Sequence, residues 1–349
     1  MKKIFLFTAC IINFAAASQS QKWTKEKATA WYAERPWISG SNFIPSTAVN
    51  QLEMWQEDTF DPKTIDKELG FAAGIGFNAM RVYLHSLAYK ADVKGFKKRV
   101  DKYLEIASKH GIQTLFVFFD DCWNATPKIG LQPTPKPGIH NSGWMQDPGF
   151  PASADKANDK ELEIYVKDML TAFGKDKRIL LWDLYNEPGN SDKGDKSLPL
   201  LQNVFKWARE ANPAQPLSAG LWKWSLQALN TFQAQNSDII TYHFYEAMQD
   251  HQVIINLLKT HDRPVICTEY LARTKNNTFE NTMTLLKKEN IGAINWGLVN
   301  GKTNTIYAWN SPPDSGEEPN TWFHDIFWKD GTPYRQDEVK VIRKLNGVK

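Results

Sequence analysis

Short apolar runs of strand length recur along the chain, and most are followed by a segment whose apolar residues repeat at helical spacing. The runs lack strict alternation of apolar and polar residues, which is typical of strands buried on both faces of a parallel sheet. Eight strands are predicted, over residues 37–44, 77–84, 112–119, 179–187, 216–222, 238–245, 263–270 and 291–297. Eight strand–helix units in succession predict an α/β protein with one (β/α)8 TIM barrel domain.

Helices are predicted between and after these strands. Asp61-Pro62 has the pattern of an N-cap followed by proline at the first helical position, and Ile65, Leu69 and Ala72 continue it at helical spacing. Further helices are predicted over 96–107, 162–173, 200–211, 226–232, 253–258, 279–288 and 337–345. Residues 46–60, 124–155 and 298–333 lack periodicity and predict loops on the C-terminal face, where barrel enzymes keep their active sites.

The first residues have the pattern of a leader peptide. Lys2 and Lys3 precede an almost wholly apolar run from Ile4 to Ala17, which ends in small residues. We therefore expect a signal peptide over residues 1–17 and a catalytic domain over residues 18–349, exported to the periplasm or secreted. The run is shorter than the roughly 20 residues of a membrane span, so stable membrane insertion is not expected. Cys10 lies too early in the run for a lipid anchor.

Composition narrows the choice of partners. The net charge of the full sequence is only +3 and no long run of one charge occurs, which disfavours a nucleic acid partner. Beyond the leader the cysteines are Cys122 and Cys267, which favours two free thiols, although one disulfide stays open. The sequence contains 14 tryptophans, which is an unusually high number. Many are expected in the core, but tryptophan also suits stacking on flat apolar faces of a ligand. We expect a monomer.

Side chains that are able to take part in catalysis or binding lie at the predicted C-terminal ends of the strands. They are Arg81, Glu187, His243, Tyr245, Glu269 and Trp296. Each has an ordinary structural interpretation, such as a buried ion pair between Arg81 and Glu269. Two carboxyl groups on opposite walls of one pocket, one neutral and one ionised, are nevertheless what glycosidic bond cleavage requires. A separation of about 5–5.5 Å would give retention and about 6.5–9.5 Å inversion, and the sequence leaves both open.

These residues resemble the motifs of glycoside hydrolase clan A, and within it family 5, over essentially the whole chain beyond the leader. Asn186-Glu187-Pro188 resembles the motif of strand four, which implies that Glu187 is the acid/base and that Asn186 donates to the sugar 2-hydroxyl. Thr268-Glu269-Tyr270 resembles the motif of strand seven, which implies that Glu269 is the nucleophile.

The supporting residues of the family have counterparts as well. Arg81 resembles the arginine of strand two that supports the nucleophile, and His243-Phe244-Tyr245 resembles the His-x-Tyr of strand six, with Tyr245 reaching the nucleophile. Trp296 resembles the platform of strand eight beneath the reacting sugar. The resemblance implies a retaining outcome.

The chain departs from the family pattern at the end of strand three. Many members carry a histidine there, whereas this chain has Asp120-Asp121-Cys122-Trp123. We expect Asp121 and Trp123 to supply the sugar contacts at this place. Further sugar subsites are expected on tryptophans of the loops, namely Trp123, Trp144, Trp222, Trp224 and Trp309.

The predicted function is retaining hydrolysis of a β-linked glycan, a β-1,4-linked polysaccharide or its oligosaccharides. No cofactor or metal is expected, since His243, His251 and His261 lack ligand spacing. Three alternatives stay open: an exo-acting β-glycosidase, a transglycosylase on the same residues, and a non-catalytic carbohydrate-binding barrel. The pattern of products tests exo action, and competition between a sugar acceptor and water tests transglycosylation. Turnover tests the non-catalytic alternative.

Overall fold

The computed structural model describes residues 21–150, 156–311 and 316–348, so the predicted signal peptide lies outside the described residues. Eight parallel strands form one sheet in the order β5-β4-β3-β2-β1-β8-β7-β6. Their bounds are Ser39–Asn42 (β1), Ala79–Tyr83 (β2), Gln113–Asp120 (β3), Ile179–Asn186 (β4), Leu217–Ser218 (β5), Ile240–His243 (β6), Val265–Glu269 (β7) and Gly292–Asn295 (β8). Seven of them lie inside a predicted strand, and β3 extends one residue past its predicted end at position 119.

The sheet closes on itself beyond the short strand β5. The amide of Leu221 donates to the carbonyl of Thr241 at 3.0 Å, and the amide of His243 donates to the carbonyl of Leu221 at 2.8 Å. These bonds join the segment after β5 to β6, the strand at the other end of the sheet order. The protein is therefore a single-domain (β/α)8 barrel, which confirms the predicted fold class.

Helices surround the barrel. They are Lys25–Ala33 (α1), Gln51–Trp55 (α2), Pro62–Gly74 (α3), Ser86–Ala91 (α4), Val93–Lys109 (α5), Asp159–Phe173 (α6), Leu198–Ala211 (α7), Gln227–Asn236 (α8), Met248–Lys259 (α9), Thr284–Lys288 (α10) and Gln336–Asn346 (α11), with one π-helical turn over Phe279–Met283. Among the described residues, none of these helices has the length and apolar character that a membrane crossing requires.

The interpretation of residues 46–60 as a loop was wrong over α2, and the sequence did not predict α1 or α4. Helix α2 has only five residues, too few to establish a helical period. Its first turn is held by the side chain of Asn50, which accepts a hydrogen bond from the amide of Glu53 at 3.0 Å. Short capped helices of this kind leave little pattern in the sequence.

The strands are apolar on both faces because each face meets a different part of the core. Along β3, Leu115 packs inside the barrel with residues of β2, β4, β7 and β8, whereas Phe116 and Phe118 pack outward against the helices. The ring of Phe118, for example, lies 5.4 Å from that of Tyr165 in α6. Two buried faces explain why strict alternation was missing from the sequence.

A buried ion pair fastens the C-terminal helix α11 to the segment after β7. Arg273 donates through Nε and Nη2 to Glu338 at 2.8 and 2.6 Å, and the two side chains are 1% and 2% exposed. Arg273→Ala would leave the Glu338 carboxylate buried without its main partner. We expect it to lower the free energy of unfolding by about 3–5 kcal/mol, measured by urea denaturation.

The matched control is Arg335→Ala. Arg335 lies 3.8 Å from the same carboxylate, but its side chain is 42% exposed, so its removal should cost about 1 kcal/mol or less. Equally small decreases in the free energy of unfolding of both variants would contradict the assigned role of Arg273.

Candidate active site

Inward-facing residues at the C-terminal ends of the strands build the site. In β2 the side chains alternate, so that Ala79 lies inside the barrel and Met80 and Val82 face the helices. Arg81 and Tyr83 therefore point into the barrel near its C-terminal mouth. The same alternation sends Asp183 of β4 inward, between Trp182 and Leu184, which face the helices.

The strand β4 ends at Asn186, directly before Glu187. Pro188 and Gly189 stop the strand as predicted, and Gly189 has a φ of 88°. Glu187 itself has a φ of 44°, a left-handed conformation that is uncommon for a non-glycine residue. Such strained positions persist where surrounding contacts fix them, and they concentrate at functional sites. Glu187 is therefore held with its side chain in the barrel mouth rather than along the strand.

Arg81 is fully buried and organises one side of the site. Its guanidinium donates to Glu269 Oε1 at 2.7 Å, to Asp183 Oδ2 at 2.9 Å and to Asn186 Oδ1 at 2.7 Å. A fourth bond, at 2.9 Å, reaches Asn42 Oδ1. The expected acidic partner, Glu269, is present, and Asp183 is a second that sequence reasoning missed. The sequence contained an indication of Asp183, because an aspartate within the apolar run of β4, at an inward position, requires a partner.

Both oxygens of Glu269 are held by hydrogen bonds. Tyr83 donates its hydroxyl to Oε1 at 3.0 Å, and Tyr245 donates its hydroxyl to Oε2 at 2.8 Å. Burial raises the pKa of Glu269, while the guanidinium of Arg81 opposes that shift. Tyr245 contacts the carboxyl group as the sequence predicted, and Tyr83 is a partner that the sequence did not reveal.

Glu187 lies opposite, among uncharged partners. Its Oε1 is 2.8 Å from Nδ1 of His243, and its Oε2 accepts hydrogen bonds from the thiol of Cys122 at 3.2 Å and the amide of Asn190 at 2.5 Å. Burial raises the pKa of Glu187 and lowers that of His243 to about 4, so the histidine is neutral near pH 7. One carboxyl group thus faces a guanidinium and the other does not.

The two carboxyl groups are close together. An oxygen of Glu187, a ring nitrogen of His243 and an oxygen of Glu269 all lie within 4.8 Å of one another. These atoms are of the kinds that hold a metal ion, so this trio could in principle do so. The positive charge of Arg81, 2.7 Å from Glu269, opposes a second cation there. The charge distribution therefore favours a pair of carboxyl groups acting by themselves.

The unusual segment after β3 supports the site from behind. Asp120 accepts hydrogen bonds from the amide of Asn186 at 2.9 Å and the indole of Trp144 at 2.7 Å, and burial raises its pKa to about 6. Asp121 is fully buried, and its carboxylate accepts from Tyr185 Oη and the amide of Gly189. The structure therefore places Asp121 behind the Glu187 loop, outside the lining of the cavity.

A cavity of about 880 Å³ opens above the two glutamates, within the usual range for ligand pockets. Of the predicted site residues, Asn186, His243 and Tyr245 contribute to its lining together with the glutamates, and Arg81 lies buried beneath. Tryptophans line it densely: Trp123, Trp144, Trp222, Trp224, Trp296 and Trp309. Cys122 also lines the cavity. Cys122 and Cys267 are both free and buried, which confirms the prediction of two free thiols.

Comparison with known proteins places this site in a family. The family described as Cellulase (glycosyl hydrolase family 5) matches residues 39–302, which span all eight strands. No curated protein matches the chain.

Solved structures share the fold at low sequence identity. An endo-β-1,4-mannanase from Thermotoga petrophila has a TM-score of 0.58 and 13% identity, over 89% of this chain and 76% of its own. A GH5_18 protein from Streptomyces cattleya, in complex with GlcNAc, has a TM-score of 0.61 and 11% identity over 89% and 80%. The exo-β-1,4-mannosidase Op5Man5 from Opitutaceae bacterium strain TAV5 has a TM-score of 0.59 and 13% identity over 90% and 59%.

The family match covers most of the chain and contains both glutamates of the cavity. Since a match of this extent defines membership, the chain belongs to glycosyl hydrolase family 5 and is a glycosidase that hydrolyses O-glycosyl bonds.

Proposed function

We propose that this glycosidase retains the anomeric configuration of a β-linked glycan and cleaves it by double displacement through Glu187 and Glu269. The observation that carries the proposal is the short separation of the two carboxyl groups, whose nearest oxygens lie within 4.8 Å. That distance leaves little room for an attacking water between sugar and carboxylate, and it agrees with the roughly 5–5.5 Å of retaining enzymes.

The unequal surroundings support this assignment of roles: burial raises the pKa of both carboxyl groups, but only Glu269 has a guanidinium within hydrogen-bond distance. Glu269 has the guanidinium of Arg81 beside it, which stabilises the ionised form that a nucleophile requires. Glu187 has neutral partners and a pKa raised by burial, which favours the protonated form that an acid requires. With His243 neutral, the proton of Glu187 Oε1 can rest against Nδ1 at 2.8 Å until it is transferred.

The reaction then follows in two steps. Glu269 attacks the anomeric carbon while Glu187 protonates the departing oxygen, which breaks the glycosidic bond and forms a glycosyl ester. Water, deprotonated by Glu187, next attacks the same carbon and releases Glu269. Asn186 lies between Arg81 and Asp120 at the edge of the cavity, and its second amide hydrogen points to Cys122 Sγ at 3.4 Å. In the proposed reaction the sugar 2-hydroxyl replaces that weak contact with sulfur.

For the substrate we propose a β-1,4-linked glycan, with β-mannosides and β-glucosides as the first to be examined. The mannanase and mannosidase among the solved structures of this fold favour that choice, as does the aromatic lining of the cavity. The export signal over residues 1–17, the catalytic domain over 18–349 and the monomeric state remain proposals.

The test is a panel of aryl β-glycosides and β-1,4-glycans, with the first-formed anomer of the best substrate followed by NMR. The expected result is a β-anomer that mutarotates slowly to the mixture. An α-anomer as first product would overturn double displacement. A transfer product that dominates over hydrolysis when a sugar acceptor is added would instead make the enzyme a transglycosylase.

Cys122 offers a pH test of the role of Glu187. The thiol stabilises the carboxylate form through its hydrogen bond, and burial keeps the pKa of Cys122 well above its usual value, so it remains a donor. In Cys122→Ala the pKa of Glu187 should rise, because the anion loses a donor. The alkaline limb of kcat/KM, where Glu187 loses its proton, should therefore move to higher pH.

The matched control is Cys122→Ser, which keeps a hydroxyl donor at the same place. Its alkaline limb should stay at or below that of the wild type, and kcat/KM at the optimum should change less than about tenfold in either variant. Identical pH profiles in all three proteins would contradict an influence of Cys122 on Glu187.

A further inference from the structure

The cavity extends unequally on the two sides of the pair Glu187 and Glu269. Its lining comes from the ends of β4, β6 and β7 and from the segments that follow β3, β4, β5, β6 and β8, such as residues 122–124, 190–191 and 222–224. Within the part of the chain that the structure describes, the segments after β1 and β2 contribute nothing to that lining. A substrate that extends past the site therefore has space on one side of the glutamates and meets protein on the other.

An aromatic cluster closes the side of β1 and β2. Tyr83, Trp144 and Trp296 are all buried, and their rings pack in edge-to-face contacts with centroids 5.1, 5.6 and 5.9 Å apart. Tyr83 also donates its hydroxyl to Glu269 Oε1, so this aromatic wall begins at the carboxyl group assigned as nucleophile. Behind Trp144 and Trp296 lies a cavity of only about 20 Å³, room for a water molecule but not for a sugar.

Three loops brace the aromatic wall from outside. Lys302 Nζ forms a 2.6 Å ion pair with Glu53, which joins the loop after β8 to helix α2. The amide of Asn141 donates to the carbonyl of Thr303 at 2.8 Å, which joins the loop after β3 to the same loop. The side chain of Asn50 donates to the carbonyl of Gly143 at 2.8 Å and completes the ring of contacts. These contacts join the loops around the aromatic wall, and the indole of Trp144 itself donates to Asp120 at 2.7 Å.

On the opposite side of the site, the described residues that line the cavity are partly or largely exposed. Glu187 is followed by Asn190 and Ser191, and beyond them Trp222 and Trp224 line the cavity with partly exposed side chains. These residues lie on the side of the carboxyl group that protonates the departing oxygen, so they face the leaving group. The sugar that becomes attached to Glu269 lies on the side of the aromatic wall.

From this asymmetry we infer that the enzyme is exo-acting and removes the terminal sugar at the non-reducing end of a β-linked glycan. The inference rests on the proposed function, since it uses the assigned roles of Glu187 and Glu269. The bond that breaks is the one between the anomeric carbon of the terminal sugar and the next residue. Glu269 takes the terminal sugar, the proton of Glu187 goes to the oxygen of the shortened chain, and water then releases the monosaccharide.

The experiment follows wild-type enzyme on short β-1,4-linked manno- and gluco-oligosaccharides that carry a fluorophore at the reducing end. The expected early products are free monosaccharide and a labelled chain shortened by one sugar. Oligosaccharides methylated at the 4-hydroxyl of the terminal sugar should react at least about 100-fold more slowly, because the methyl group meets the closed end. The matched control, chains reduced to alditols at the other end, should be cut as readily as unmodified ones.

The outcomes separate the two proposals. Early labelled products of many lengths, together with undiminished cleavage of the methylated chains, would overturn exo action and leave the hydrolytic mechanism intact. Absence of turnover on every β-linked substrate would overturn the proposed function, and exo action with it.

Discussion

Glu269→Ala should reduce kcat/KM by at least about 10⁴-fold, the largest loss expected for any single substitution in this protein. The variant lacks the oxygen that attacks the anomeric carbon, so no glycosyl ester can form. It should still fold, because Arg81 keeps its buried partner Asp183 at 2.8 Å when Glu269 is removed. A thermal melt of the variant checks this point before activity is measured.

Azide distinguishes loss of the nucleophile from general damage. The small anion fits the space that Glu269 vacates, beside Arg81, and should attack the anomeric carbon directly. With an activated aryl β-glycoside, the expected product is an α-glycosyl azide, identified by mass spectrometry and NMR. Glu269→Gln provides the matched control, since it fills the space and should show no rescue. A variant that retains wild-type turnover, or a rescued product of β configuration, would remove Glu269 from the role of nucleophile.

Glu187→Ala should produce a loss that depends on the leaving group. Cleavage of a β-glycan needs a proton on the departing oxygen, so kcat/KM should fall by about 10²–10⁴-fold. The dinitrophenolate of a dinitrophenyl β-glycoside departs without protonation. The rate of the first step on that substrate should therefore be nearly unchanged. The alkaline limb of the wild-type pH profile should also disappear, because the group whose deprotonation causes it is gone.

The stereochemistry of rescue separates the two glutamates. In Glu187→Ala, azide should intercept the glycosyl ester on Glu269 and give a β-glycosyl azide, opposite in configuration to the product from Glu269→Ala. Glu187→Gln is the matched control, in which the amide fills the space and rescue should be weak. Equal losses on the glycan and on the dinitrophenyl glycoside would contradict the acid role of Glu187.

The sequence by itself determined the barrel and the places of the two glutamates that we propose as catalytic groups. Each strand carried a local apolar run, and each was followed by a helix with its own period, so the fold class did not depend on distant contacts. The position of Glu187 followed from its neighbours, since Pro188 and Gly189 cannot continue a strand. Because the C-terminal ends of parallel strands share one mouth, Glu187 and Glu269 were expected to meet there, and they do.

Only the tertiary structure decided how these groups are supported. Tyr83 bonds to Glu269 across 186 positions of sequence, and Asp183 bonds to Arg81 across 102. A local pattern can mark Asp183 as an unusual buried residue, but it does not identify the partner of either side chain. The buried role of Asp121 likewise depends on Gly189, 68 positions away.

The closed side of the cavity is also a tertiary property. It arises where Asn50, Asn141 and Lys302, each on a different loop, are brought together by hydrogen bonds and an ion pair. Loop residues carry no period, and their partners depend on where the barrel places each strand end. The sequence therefore determined the class of bond that the protein can break, whereas the folding of its loops decided which side of the two glutamates is closed.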